Sequence, residues 1–162
     1  LPSDEDYIFD LIDEVLGSGR SSRLYKRLVL DQKIASDVDT STGIPGARLP
    51  NLFLIEVNLL PSHTPEEALR LIDAEFEKLK KEGPTSGELE KAKTRLAVGL
   101  LRSLKTNEGL ASQLSYFEVI AGNWRYMETY LDKIARFGRE DLQRVAKEYL
   151  KPDNRTVGMM TP

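Results

Sequence analysis

Residues 38–60 set the strongest limit on the fold. Val38, Thr40, Thr42 and Ile44 alternate with their neighbours, and after the loop Pro45-Gly46-Ala47-Arg48-Leu49-Pro50-Asn51 the alternation resumes in Phe53, Ile55, Val57 and Leu59. A period of two places each set on one side of an extended chain, so the segment predicts an antiparallel pair of strands. Leu52, Leu54 and Leu60 make the second strand apolar on its other side too. Such a strand is expected to be central and covered by helices.

The helices to cover it are written on both flanks. Ser3 and Asp6 resemble a helix-capping pair, and Ile8, Leu11, Ile12, Val15 and Leu16 then share one face up to Gly17. Ser21 or Ser22 can cap a second helix whose Leu24, Tyr25 and Leu28 point inward, which leaves Gly17-Ser18-Gly19-Arg20 as a corner between helices. Beyond the strands, Thr64-Pro65-Glu66-Glu67 starts a helix with the stripe Leu69, Ile72, Phe76 and Leu79 and an end at Gly83. Thr85 to Glu88 repeats the capping pattern before Leu89, Ala92, Leu96, Gly99 or Leu100, and Ser103, where small residues predict close helix contact. Three more helices carry Leu110 to Ala121, Met127 to Phe137 and Leu142 to Leu150, and Arg155 to Met160 reads as a short final strand. The sum is an α+β chain, a two-layer sandwich of helices on a small, mainly antiparallel sheet, forming a single domain over residues 1–162. Three strands are few for so many helices. The mostly apolar second strand would sit beside a long unpaired edge, so something is expected to be missing at the N-terminus.

Composition narrows function by exclusion. With 23 Lys and Arg against 26 Asp and Glu the chain carries a net charge of −3, which offers no cationic excess for nucleic acid. No apolar run approaches the roughly 20 residues of a membrane span. There is no Cys, which removes disulfides and thiolate metal sites and suits the cytosol and the periplasm equally. His63 is the only histidine, so any His-based triad, zinc site or general base must use it or another chain. It precedes a helix start, the ordinary place for a solvated turn residue.

The remaining candidates are few. Gly17, Gly19 and Arg20 look like a phosphate loop, but a helix rather than a strand enters the run, and no Lys-Ser or Lys-Thr follows it, so a tight helix corner is the expected role. Ser21 and Ser22 have no His to activate them. Asp37 and Asp39 share one side of a strand and would bind a divalent cation only if other ligands converged. Glu75, Glu77, Glu88 and Glu90 read as solvated helix faces. No catalytic and no metal-ligating residue emerges.

With these elements in order, the chain resembles the insulinase or pitrilysin family of zinc peptidases, which includes the mitochondrial processing peptidases. The resemblance is carried by Leu16-Gly17-Ser18-Gly19-Arg20-Ser21-Ser22-Arg23-Leu24-Tyr25, by Leu28-Val29 and Ile34-Ala35-Ser36, by "GPTSGELEKAK" from Gly83, by "FGREDLQRVAKEYL" from Phe137 and by the closing "KPDNRTVGMMTP". It implies paired homologous α+β domains, with zinc held in the first by His-x-x-Glu-His and a distant Glu. No such motif occurs here, so the resemblance is to the second, non-catalytic domain, without the strand that normally precedes its first helix. An Arg and a Tyr of that domain often hold substrate and polarise the scissile carbonyl; Val29 and Ser36 stand at those two positions. Neither can donate the lost hydrogen bonds to an oxyanion.

The resemblance implies that this chain helps to enclose and position peptide substrates for a zinc site in another domain, and holds no cofactor itself. Its implied partners are the zinc-bearing homologous domain of the same chain, a second homologous subunit carrying the Arg and Tyr pair, and the peptide substrate, with no nucleic acid and no membrane span. It also implies the bacterial periplasm rather than the cytoplasm. The alternative role is a structural or assembly subunit without proteolysis, like the core proteins of a respiratory complex.

Overall fold

The computed structural model describes residues 3–46 and 49–160. Ala47 and Arg48 of the expected loop, and Leu1, Pro2, Thr161 and Pro162, lie outside them. Helix α1 spans Asp4–Leu16, and Ser3 and Asp6 close a capping box at its start. Strands β1 (Ala35–Ile44) and β2 (Leu52–Leu59) form an antiparallel pair with Val38 opposite Val57 and Thr40 opposite Ile55. Five helices follow: α2 (Pro65–Glu82), α3 (Ser86–Ser103), α4 (Asn107–Ala121), α5 (Tyr126–Arg136) and α6 (Arg139–Tyr149). Thr64 and Thr85 cap α2 and α3 through reciprocal bonds with Glu67 and Glu88, as their sequence pattern predicts.

The core is helical. Ile8, Leu11, Ile12, Val15 and Leu16 of α1 are fully buried or nearly so, and meet Leu24, Leu28, Leu79, Ala92, Leu142 and Val145. Tyr7 stacks on Phe137 and tilts against Tyr130, which ties α1 to the segments around α5. This is the α+β chain expected, but with a sheet of two strands among the described residues.

Five expectations are corrected. Arg155 to Met160 forms no ladder; Arg155 is extended, and Val157, Met159 and Met160 are exposed because no strand lies beside them to pair with. β2 is an edge strand with no buried residue, although it is the most apolar segment of the pair. The second helix starts at Arg23 and Leu24 and continues as a π-helix over Tyr25–Asp31, with Leu24 and Leu28 fully buried in the core. Neither serine caps it: Ser22 Oγ is buried without a partner, and Ser21 Oγ accepts from Lys91. Small residues on α3 bring close contact at the buried Ala92, whereas a Cβ added at Gly99 would meet no atom of another element within 4 Å.

Candidate functional site

The glycine corner is built to hold helices. The N–H groups of Gly17 and Ser18 both donate to Asp13 O, at 2.8 and 3.0 Å, and that of Ser22 to Gly19 O at 3.0 Å, so these three donors are spent within the chain. Carbonyls face the other way: Arg95 Nη1 donates to Ser18 O at 2.6 Å, and Lys91 Nζ to Ser21 O at 3.2 Å. Arg95 also meets Glu14 at 3.0 Å. A phosphate cradle needs N–H groups aimed at an anion; this corner offers carbonyl oxygens to cations of α3. Gly19 takes φ +74°, the left-handed region that glycine enters freely, whereas Gly17 stands at φ −125°. A Cβ on Gly17 would lie 1.8 Å from Thr40 Oγ1 and 2.5 Å from Thr40 Cβ. Its absence lets α1 end against β1.

The runs that carry the family resemblance meet at the end of α2. Arg23 Nε and Nη2 donate to Glu88 Oε1 and Oε2 at 2.8 and 2.7 Å, and Nη2 also reaches Gly83 O at 3.0 Å. Arg139 donates to Glu82 O, and Gln143 Nε2 to Lys81 O at 3.0 Å. The last carbonyls of α2, which have no partner within the helix, are thereby closed by side chains from the glycine corner and from α6. Arg23 holds the Glu88 carboxyl down at about 2, through paired charge-assisted bonds. Sequence reading places Glu88 and Glu75 on solvated faces. Both fail that expectation: Glu88 is the anion of this joint, and Glu75 is 5% exposed with Lys78 at 2.8 Å. A capping-box Glu is legible from sequence; its distant Arg partner is not.

The structure does not bring the other candidates together. Val29 lies half-buried on the π-helix and packs on the core, while Ser36 is exposed at the start of β1, its Oγ donating to Asn58 O at 3.2 Å. His63 Nδ1 sits 3.1 Å from Glu67, at the start of α2. Asp37 and Asp39 are exposed on β1, and among the described residues no three His, Cys, Asp or Glu side chains group to hold a metal ion.

An open cleft of about 2200 Å³ is lined by β2, by α2, by the segment 149–160 and by residues of α1, α3 and α4. Phe9, Phe53, Ile55, Phe76 and Phe117 line it. Asp10, one of its lining residues, accepts from Tyr130 Oη at 2.8 Å and from Thr42 Oγ1 at 3.3 Å. Burial raises the Asp10 carboxyl from 3.8 to about 6, opposed by those two bonds, and burial next to Asp10 also pushes the Tyr130 phenol up.

Residues 2–96 match the sequence family described as the Peptidase M16 inactive domain. The zinc protease PqqE of Helicobacter pylori is 30% identical over 157 residues, covering 94% of this chain and 34% of that protein. The mitochondrial-processing peptidase subunit beta of Lentinula edodes is 28% identical over 145 residues, covering 88% of this chain and 30% of that protein. The chain thus spans about a third of the length of these relatives. Its backbone superposes with TM-score 0.85 on the inactive peptidase domain of a candidate zinc protease from Bordetella parapertussis, 30% identical, over 100% of this chain and 88% of that one. The corner, the capped end of α2 and the helix order therefore have one common source: this chain belongs to the Peptidase M16 inactive-domain family.

Proposed function

We propose that this chain is the non-catalytic half of a zinc peptidase and helps to enclose and position peptide substrates for a zinc site carried by another domain. The observation that carries the reading is the pairing of family membership with an absent chemistry. The chain matches the inactive-domain family over residues 2–96 and has one His, and the family resemblance puts Val29 and Ser36 where an Arg and a Tyr would polarise a carbonyl. Val29 offers no donor at all. The zinc would sit in the homologous partner domain, and the Arg and Tyr would come from a second subunit. The bacterial periplasm is the compartment this reading favours.

The test is reconstitution. The zinc-bearing domain of the same protein is assayed on a peptide mixture alone, with this chain, and with this chain and the homologous second subunit. Chelator-sensitive hydrolysis that rises at least about tenfold with this chain present supports an enclosing role. Full hydrolysis without it, or none in any combination, sinks the reading and leaves a structural or assembly subunit.

A further inference from the structure

Helices α4 and α5 form a hairpin that adds little to the core. α4 buries Phe117 and Ala121, and neither belongs to the main core cluster; α5 contributes Ile134 to it, with Tyr130 packed at its edge. Phe117 instead meets Tyr130 within the hairpin, 6.3 Å between ring centres. Non-helical residues join the hairpin to the body at both ends, Leu104-Lys105-Thr106 before α4 and Phe137-Gly138 after α5. Among the described residues two side-chain hydrogen bonds tie it down. Tyr130 Oη donates to Asp10 at 2.8 Å, and the exposed Lys93 Nζ donates to Ala135 O at 2.9 Å.

The partly buried tie ends on a carboxyl in acidic company. Asp6 and Asp13 stand about one turn to either side of Asp10 on α1, and both raise it. β1 presents Thr42 to it, α5 Tyr130, and α4 Tyr116, whose phenol burial and Asp10 push up. The cations nearby are engaged elsewhere: Arg95 of α3 holds Glu14 and Ser18, and Lys133 lies 4.8 Å from the ring centres of Tyr7 and Tyr126.

We propose that the hairpin 107–136 swings from the body as one unit about residues 104–106 and 137–138, and that the Tyr130–Asp10 hydrogen bond is its latch, closed when Asp10 is protonated and released when it is ionised. With the hairpin closed, an ionised Asp10 is cut off from water beside two other acids; swinging out hydrates it. The bonds from Tyr130 and Thr42 favour the ionised form, but burial outweighs them, and the carboxyl sits at about 6 instead of 3.8. Closure is therefore favoured most below 3.8 and loses that advantage as pH rises through about 6. Tyr116, Phe117 and Ile120 of α4 line the open cleft, so opening the hairpin widens it. The motion lies within this chain and holds whether or not the chain encloses peptides.

The test is single-molecule energy transfer between dyes on introduced thiols, which the absence of Cys from the 162-residue chain permits. One pair, Ser112→Cys with Lys147→Cys, spans the hairpin and α6; a second, Ser112→Cys with Thr129→Cys, lies within the hairpin, and all three positions are exposed. The first pair should report a short and a long distance, with the ratio of open to closed rising about 50-fold between pH 4 and pH 7. The second pair should keep one distance throughout. Asp10→Asn should remove the pH dependence and leave the hairpin closed. Tyr130→Phe, which keeps the ring, should raise the open fraction, most strongly above pH 6. A single distance across the first pair at every pH overturns the proposal. So does a changing distance across the second pair, which would mean that the hairpin unravels, and so does a pH dependence that survives Asp10→Asn.

Discussion

The glycine corner between α1 and the π-helix and the flank along β2 are opposite kinds of surface made by one chain. Around the corner, apolar side chains are fully buried and polar groups are matched in distant pairs: Arg23 with Glu88, Arg95 with Glu14 and Ser18, Lys91 with Ser21. Along β2, the side chains are more apolar and none is buried. Apolar content therefore does not decide where the core forms. What decides is which apolar faces find a partner within the chain, and α1 finds several helices where β2 finds the charged strand β1 and only a small part of α2.

The comparison breaks first at Gly17. Gly17→Ala should destabilise the chain by about 3 kcal/mol, because the new Cβ would overlap Thr40 Cβ as well as its hydroxyl, and no rotamer change clears it. Urea unfolding checks this; a loss under about 1 kcal/mol would mean that α1 and β1 separate easily, and the corner is not the rigid region.

The Arg23 joint comes next. Arg23→Ala should cost on the order of 2 kcal/mol at neutral pH, since it removes the Arg23 donors from Gly83 O and leaves the Glu88 carboxylate only its Thr85 donors, with no balancing charge. Because the Glu88 carboxyl is held below its ordinary 4.5, its contribution is present above that value and is lost as pH falls toward about 2. Glu88→Gln should flatten stability across that acid range. Unchanged acid sensitivity in the variant would show that the joint contributes little.

Asp10 runs with the opposite sign. Its carboxyl is raised from 3.8 to about 6, so its contribution is most favourable below 3.8 and is lost as pH rises through about 6. Asp10→Asn keeps an acceptor for Tyr130 and Thr42 and removes the charge. It should stabilise by roughly 1 kcal/mol near pH 8 and by almost nothing near pH 3. An equal gain at both pH values would mean that the effect is not electrostatic. The smallest effect is expected on the flank itself: Ile55→Thr should cost the 162-residue chain less than about 1 kcal/mol, against the 2 kcal/mol or more of a fully buried site.

Local signals carried most of the fold. Thr64, Thr85 and Gly17 mark helix ends that the structure places where the sequence puts them, because caps and glycines act on their own few neighbours. The misses share one cause. Apolar side chains on both faces read as a covered β2, and Arg155 to Met160 reads as a strand, but pairing depends on whichever segment lies alongside. The π-helix at Tyr25–Asp31 was equally hidden, since apolar spacing at Leu24 and Leu28 fits an α-helix as well. At the site, Val29 and Ser36 were legible only through the family resemblance, and the Arg23 partner of Glu88 only through the fold.

The most direct test of the contrast is native-state hydrogen exchange on the 162-residue chain at increasing urea. Amides of α1 from Ile8 to Leu16 should exchange only through global unfolding, while the outward amides of β2 exchange through small local openings, at least about 100-fold faster in the absence of urea. Equal protection of α1 and the outward β2 amides, converging on one unfolding free energy at every urea concentration, would contradict the division of this molecule into a closed helical core and an open sheet flank.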